Sequence, residues 1–113
     1  MEKTPRFSIR YLQEAVEFLS TLSEKARIKI QYNANLARYE LNSELFKKLN
    51  DNIWEFRTLY NGIAYRLFAF WDNESQAMVI ATHGIVKKTQ RTPAKEIAKA
   101  EEIRKIYFEQ KSE

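Results

Sequence analysis

The chain has 113 residues, 44% apolar and 30% charged, which is the composition of one ordinary globular unit and leaves no room for two full cores. Without cysteine and with one histidine, it excludes disulfide frameworks, thiol chemistry and multi-histidine metal centres. Nineteen basic against fifteen acidic residues leave a charge of +4, a modest lean toward a polyanionic partner. No run reaches the roughly 18 apolar residues of a membrane span. Met1–Pro5 has no apolar stretch of the signal-peptide kind, which argues against export. The expectation is a single cytoplasmic domain over residues 1–113, without membrane attachment, cofactor or metal.

Phe7, Ile9 and Tyr11 alternate with Ser8 and Arg10, so a short strand opens the chain. From Gln13 the period changes to that of a helix, with Ala15, Phe18, Leu19 and Leu22 on one stripe. Ser23 suits the N-cap of a second helix to about Arg38, with Ala26, Ile30 and Ala37 inward. The pair reads as a helical hairpin, and Ser43 as the cap of one further turn over 44–49. Two aromatic-rich strands, Ile53–Tyr60 and Ile63–Trp71, flank Asn61-Gly62, the strongest short hairpin signal. A polar loop, 72–75, leads to a third hairpin strand, Gln76–Val86. A basic loop then reaches Thr92-Pro93, read as an N-cap with proline at the first helical position. The last helix runs to about Glu109 with Ile97, Ala100, Ile103 and Tyr107 on one stripe. The order βααβββα is α+β: a helical hairpin and a C-terminal helix packed on a mostly antiparallel sheet.

The two-residue turn makes Tyr60 face Ile63 and therefore puts Arg57 directly opposite Arg66. Opposed like charges destabilise a sheet, so the pair needs a carboxylate or a bound anion. Glu55, on the same face, is the structural solution. A phosphate gripped by two guanidinium forks is the functional one. If Trp71 faces Gln76 across the next loop, His83 falls opposite Ala64 on the arginine face, and Lys87 continues that parity. A loop differing by one residue would flip His83. The arginine face then also holds Phe68, Phe70, Val79 and Ile85, partly covered by the last helix, with a cleft left at the Arg57–Arg66 end. The opposite face gathers Trp54, Phe56, Tyr65, Leu67, Met78 and Ile80.

This inventory suits phosphoryl chemistry. RNA cleavage by its own 2′-OH needs in-line positioning, charge stabilisation at phosphorus and proton transfer. Arginine and lysine supply charge, and histidine is the usual proton carrier near neutral pH. No carboxylate pair with metal-ligand spacing stands out. Each feature also has a plainer reading. His83 in an apolar strand reads as a satisfied core residue, and Lys87–Arg91 as a solvated loop. Trp54, Phe56, Phe68, Phe70 and Trp71 read as core rather than as base-stacking platforms.

Four stretches carry a resemblance. Leu45-Phe46-Lys47-Lys48-Leu49, Ile53-Trp54-Glu55-Phe56-Arg57, Tyr65-Arg66-Leu67 and the run from His83-Gly84 through Lys87-Lys88-Thr89-Gln90-Arg91-Thr92-Pro93 to Ile97 resemble the RelE/HigB-type toxins of bacterial toxin–antitoxin modules. The likeness is to the phage-derived branch, with its E-x-R, Y-R and K-K-T-x-x-T-P-x-x-E-I pattern. It covers about residues 40–108, and the first strand and helical hairpin agree in order. The resemblance implies a RelE/ParE-like fold and a metal-independent mRNA endonuclease, free or ribosome-dependent, whose cuts stop translation. It implies that Arg57 and Arg66 hold the scissile phosphate and that Lys87, Lys88 and Arg91 bind the RNA backbone. A cognate helix-turn-helix antitoxin is the implied partner besides mRNA. The chain lacks the dense lysine cluster of better-known members where Glu55 sits, and a tyrosine between Thr89 and Pro93, so His83 and Tyr65 remain as proton-transfer candidates. Two other functions share the fold: a ParE-like toxin that poisons DNA gyrase, and a catalytically silent module that only binds its antitoxin.

Overall fold

A computed structural model describes residues 3–74 and 77–112. Ser75 and Gln76, where the polar loop was expected to end and the third hairpin strand to begin, lie outside the described residues. The elements are β1 (Ser8–Tyr11), α1 (Gln13–Ser20), α2 (Glu24–Ala37), β2 (Phe46–Lys48), β3 (Trp54–Tyr60), β4 (Ile63–Asp72), β5 (Met78–Lys87) and α3 (Ala94–Lys111). They form a five-stranded sheet in the order β1-β5-β4-β3-β2, parallel between β1 and β5 and antiparallel elsewhere. The α+β expectation holds, with α1 and α2 on one face of the sheet and α3 on the other.

Local chemistry accounts for most boundaries. The Ser23 side chain accepts a hydrogen bond from the Ala26 amide at 3.2 Å, which caps α2 as its sequence predicts. Ala26, Ile30, Ala34 and Ala37 face the sheet, and small residues there let the helix lie close. Asn61 and Gly62 have φ of 53° and 77°, the left-handed pair that a type I′ turn requires. Tyr60 accordingly faces Ile63, and Arg57 faces Arg66.

Gly84 sits directly under the Phe18 ring, so closely that a Cβ there would overlap it. Gly84→Ala is therefore expected to cost about 1–3 kcal/mol by overpacking. Urea denaturation reads the loss. A Phe18→Leu partner substitution should recover part of it, and an unshifted Gly84→Ala midpoint would refute the close approach.

Three expectations are corrected. Residues 44–49 do not form a capped helical turn. Asn42 makes a turn instead, its side chain accepting from the Glu44 amide at 2.9 Å, and β2 follows. Phe46 stacks on Phe56 and Trp54, which draws β2 onto the sheet edge. Second, Pro93 rather than Thr92 is the N-cap of α3, because the Thr92 hydroxyl is turned toward Glu55. Third, the β4–β5 register differs from the predicted one. Asp72 faces Met78 and Ala64 faces Lys87, with a bulge between Leu67 and Ala69. The bulge changes the pairing by one residue within the strand. Below it, Ile80 lies under α3 and Val79 under the helical hairpin, the reverse of expectation. Above it the parity is as expected, so His83 and Lys87 stay on the arginine face, but His83 is not opposite Ala64.

The α3 face is built on Phe68, Phe70 and Ile80, fully buried beneath Ala100 and flanked by Ile97, Tyr107 and Phe108. Each such side chain contributes about 1.5–3 kcal/mol of burial. The far end of α3 is lashed to β4. The Tyr107 hydroxyl and the Lys111 ammonium both donate to Asp72 Oδ2 at 2.6 Å. Burial alone would raise the Asp72 pKa, and these bonds hold it below the usual carboxylate value instead. Anchored there, α3 leaves the Arg57–Arg66 end of the sheet open. No helix among the described residues is long and apolar enough to cross a membrane.

Candidate functional site

The tight turn and the antiparallel register put Arg57 and Arg66 side by side, and Glu55 lies between them. One carboxylate oxygen is 3.6 Å from Arg57 Nε, and the other is 3.6 Å from Arg66 Nε. These are ionic contacts, too long for strong hydrogen bonds. The Thr92 hydroxyl donates to Glu55 Oε1 at 3.1 Å. Beyond these long contacts with Glu55, both arginine Nε–H groups are buried without a hydrogen-bond partner among the described residues. The two arginines are not equivalent. The Arg57 side chain is 28% exposed and that of Arg66 only 8%. Arg66 spends one terminal nitrogen on the Tyr65 carbonyl at 2.9 Å, and burial, with Arg57 opposite, lowers its pKa while Glu55 raises it.

Beside this cluster opens a cleft of about 610 Å³. Lys47, Lys48, Arg57, Lys87 and Arg91 supply its cations, and Glu55 is the one carboxylate in its lining. Lys47 arrives because β2 pairs with β3, setting it opposite Glu55. Lys87 arrives because β5 extends to it, setting it opposite Ala64 and next to Arg66. Partial burial, then Arg66, Arg57 and Lys47, depress the Lys87 pKa against the pull of Glu55. Arg91 comes from the loop before α3. Lys88 is exposed on that loop and outside the cleft lining.

His83 stands apart. It is buried, stacked on Phe68 with ring centroids 4.9 Å apart, and absent from the cleft lining. Its Nδ1 meets the Thr82 hydroxyl at 2.9 Å and its Nε2 meets Glu96 Oε1 at 3.3 Å. Burial, then Lys99, lowers its pKa more than Glu96 and Glu14 raise it. In a neutral ring Nε2–H donates to Glu96 and Nδ1 is an acceptor facing the Thr82 hydroxyl, whose single proton the Phe68 carbonyl at 3.3 Å also competes for. Tyr65, the other proton-transfer candidate, is buried in the opposite core.

The lowered His83 pKa has a sign that can be measured. The unfolded histidine titrates near 6.5, so below that pH the unfolded state binds the extra proton. Stability from this group is complete above pH 6.5, falls as pH drops below it, and levels off beneath the depressed native value. The slope reaches at most about 1.4 kcal/mol per pH unit. Urea midpoints between pH 7.5 and the carboxylate range should show the decline, and His83→Asn should flatten it. An equally steep decline in His83→Asn would assign the effect elsewhere.

The fold thus brings Arg57, Lys87 and Arg91 to the cleft, buries Arg66 beside Arg57, and leaves His83 under α3. Lys47, Lys48 and Glu55 join the cleft as well. The signal for Lys47 was Asn50-Asp51-Asn52, a polar turn between two apolar stretches. There Asn50 Oδ1 accepts from the Asn52 and Ile53 amides at 2.9 and 2.7 Å and closes the β2–β3 hairpin.

A search of the curated proteins finds no match. The family described as Phage derived protein Gp49-like (DUF891) matches residues 17–105, which takes in the second half of α1, all of α2, the four antiparallel strands and most of α3. Match, sheet order and the basic cleft agree: the chain belongs to the phage-derived Gp49-like family of the RelE/HigB-like toxin superfamily, with its RelE-like fold, the toxins that act in modules with an antitoxin.

Proposed function

We propose that the protein is a cytoplasmic mRNA endonuclease that stops translation by cutting RNA on the ribosome and needs no metal. The observation that carries this reading is the opposed arginine pair, with Arg57 lining a lysine-rich cleft and the buried Arg66 beside it. An RNA phosphate is a dianion-like target in the transition state, and preorganised guanidinium forks suit it.

In this reading Arg57, the more exposed, contacts the scissile phosphate, and Arg66 adds charge from behind. Glu55 accepts the 2′-OH proton as O2′ bonds to phosphorus. The P–O5′ bond breaks, and O5′ takes a proton from Lys87, whose ammonium is made a readier donor than an ordinary lysine's by burial and the neighbouring cations. The products are a 2′,3′-cyclic phosphate and a 5′-hydroxyl. Lys47, Lys88 and Arg91 hold the RNA backbone. His83 is reassigned from proton transfer to positioning: through Glu96 it fixes the first turn of α3 and so the loop that carries Arg91 and Thr92. The antitoxin would be a helix-turn-helix protein.

Induced expression should arrest growth with cleaved transcripts, relieved by co-expressed antitoxin. Purified protein should cut translated RNA in the presence of EDTA. Arrest with intact transcripts would overturn the reading, and an accompanying DNA-damage response would mark a gyrase-poisoning toxin instead. One observation favours a second reading, the catalytically silent antitoxin-binding module: Glu55 already bridges both arginines. Primer extension on translated RNA separates the two, since the silent module leaves it full length.

A further inference from the structure

A second, smaller pocket of about 260 Å³ lies on the other side of Arg57, lined by Glu44, Arg57, Thr58, Leu59, Ala64 and Arg66. It shares Arg57 with the basic cleft, so whatever occupies it sits one nucleotide or less from a phosphate held there. Its volume is below the roughly 300–1,000 Å³ of pockets for drug-sized ligands, which suits a single planar base. Leu59 is 70% exposed. An isolated exposed leucine needs no explanation. Here it forms an apolar wall beside two guanidiniums, planar groups on which unstacked bases can stack.

Glu44 gives the pocket its chemical character. Its side chain is exposed and makes no ion pair or hydrogen bond among the described residues, although two arginines line the same pocket. Its backbone is held firmly. The Glu44 amide donates to Asn42 Oδ1 at 2.9 Å, the Arg57 amide donates to the Leu45 carbonyl at 2.8 Å, and the Arg57 guanidinium reaches the Ser43 carbonyl at 3.4 Å. A carboxylate only accepts hydrogen bonds. Guanine presents two adjacent donors, N1–H and N2–H, on its Watson–Crick edge. Adenine and cytosine place an acceptor next to their donor, and uracil flanks its one donor with two carbonyls.

We propose that this pocket is a nucleobase subsite in which Glu44 selects guanine in the nucleotide next to the scissile phosphate, with Leu59 as the apolar wall. The proposal rests on the endonuclease reading for its place beside the cut, and on the pocket alone for the binding of guanine.

The test uses the full chain and short 2′-O-methyl RNA oligonucleotides, which cannot be attacked by their own 2′ oxygen, identical except for one base. Fluorescence anisotropy should show the guanine oligonucleotide bound about tenfold more tightly than the other three. Glu44→Gln, which offers one acceptor and one donor, should abolish that preference and shift it toward adenine and cytosine. Leu59→Ser should weaken all four alike. Cleavage maps on ordinary RNA should place cuts beside guanine for the wild type and lose that bias in Glu44→Gln. Equal binding of the four bases, or a guanine ratio unchanged in Glu44→Gln, overturns the subsite. Cleavage with a bias indifferent to Glu44 overturns it and leaves the endonuclease reading standing. Guanine-selective binding that depends on Glu44, without any cleavage, upholds the subsite and removes the endonuclease.

Discussion

Arg57→Ala should slow RNA cleavage by about 10²–10³-fold, the loss typical of one charge-stabilising donor removed from a transition state. The side chain is half-buried at the cleft, and its one hydrogen bond among the described residues, to the Ser43 carbonyl, is long at 3.4 Å. Removal should therefore leave the thermal midpoint within a few degrees. Single-turnover rates at saturating protein separate chemistry from binding. Arg57→Lys should recover part of the rate, because the charge returns without the planar fork. The corresponding change at Arg66 should differ in kind. Arg66 is buried, and Arg66→Ala should lower stability as well as rate, since Glu55 loses a neighbour in the interior. An Arg57→Ala protein that cuts at the wild-type rate would place the phosphate elsewhere.

The largest effect on stability belongs to Glu55. Its side chain is 2% exposed and lies between two guanidiniums that the register forces together. Glu55→Ala strips the buried Arg66 of its counter-charge and leaves it facing Arg57. Removing one partner of a buried ion pair costs about 3–5 kcal/mol, a large share of the roughly 5–15 kcal/mol by which domains are stable. Glu55→Gln keeps the volume and the acceptor for Thr92, and should cost less. Urea unfolding measures both. The double variant Glu55→Ala, Arg66→Met should be more stable than Glu55→Ala alone, because the orphaned charge is gone. If the double variant is no better, the loss comes from packing and not from charge. Cleavage should fail in Glu55→Ala and in Glu55→Gln alike, since neither can take the 2′-OH proton.

These two experiments bear on opposite sides of one cluster. A carboxylate between two arginines stabilises a crowded sheet face. The same carboxylate lines a cationic cleft, where the endonuclease reading needs a proton acceptor. Arg57 is exposed enough to change partners and Arg66 is not. The burial difference, more than the presence of two arginines, is why the two substitutions are expected to differ.

How much of this was legible varies with the range of the cause. Asn61-Gly62 determines the Arg57–Arg66 pairing by itself, because a two-residue turn admits one register. Ser23, the helical stripe from Ala15 to Leu19 and the apolar face of α3 are equally local, and each element is where its periodicity puts it. The family motif from Lys87 to Ile97 lies on one continuous stretch of chain, so the loop and helix start that it marks needed no folding to be seen.

The rest depends on contacts between distant residues. The three residues of β2 carry no period of their own, and their strand exists because Phe46 stacks on Phe56 and Lys47 pairs with Glu55. Thr92 leaves its capping position because a buried carboxylate from β3 takes its hydroxyl. The bulge between Leu67 and Ala69 reassigns Val79 and Ile80 to opposite cores, and no turn residue announces it. His83 keeps its predicted face but goes under α3 to Glu96, a matter of where the helix lies and not of parity. The sequence by itself determined the α+β order, the tight turn and the opposed arginines, since each follows from neighbours a few residues apart. Only the tertiary structure decided which cations share a cleft, which arginine meets solvent and what neutralises the pair, because burial and cross-sheet charge exist only once the chain has closed on itself.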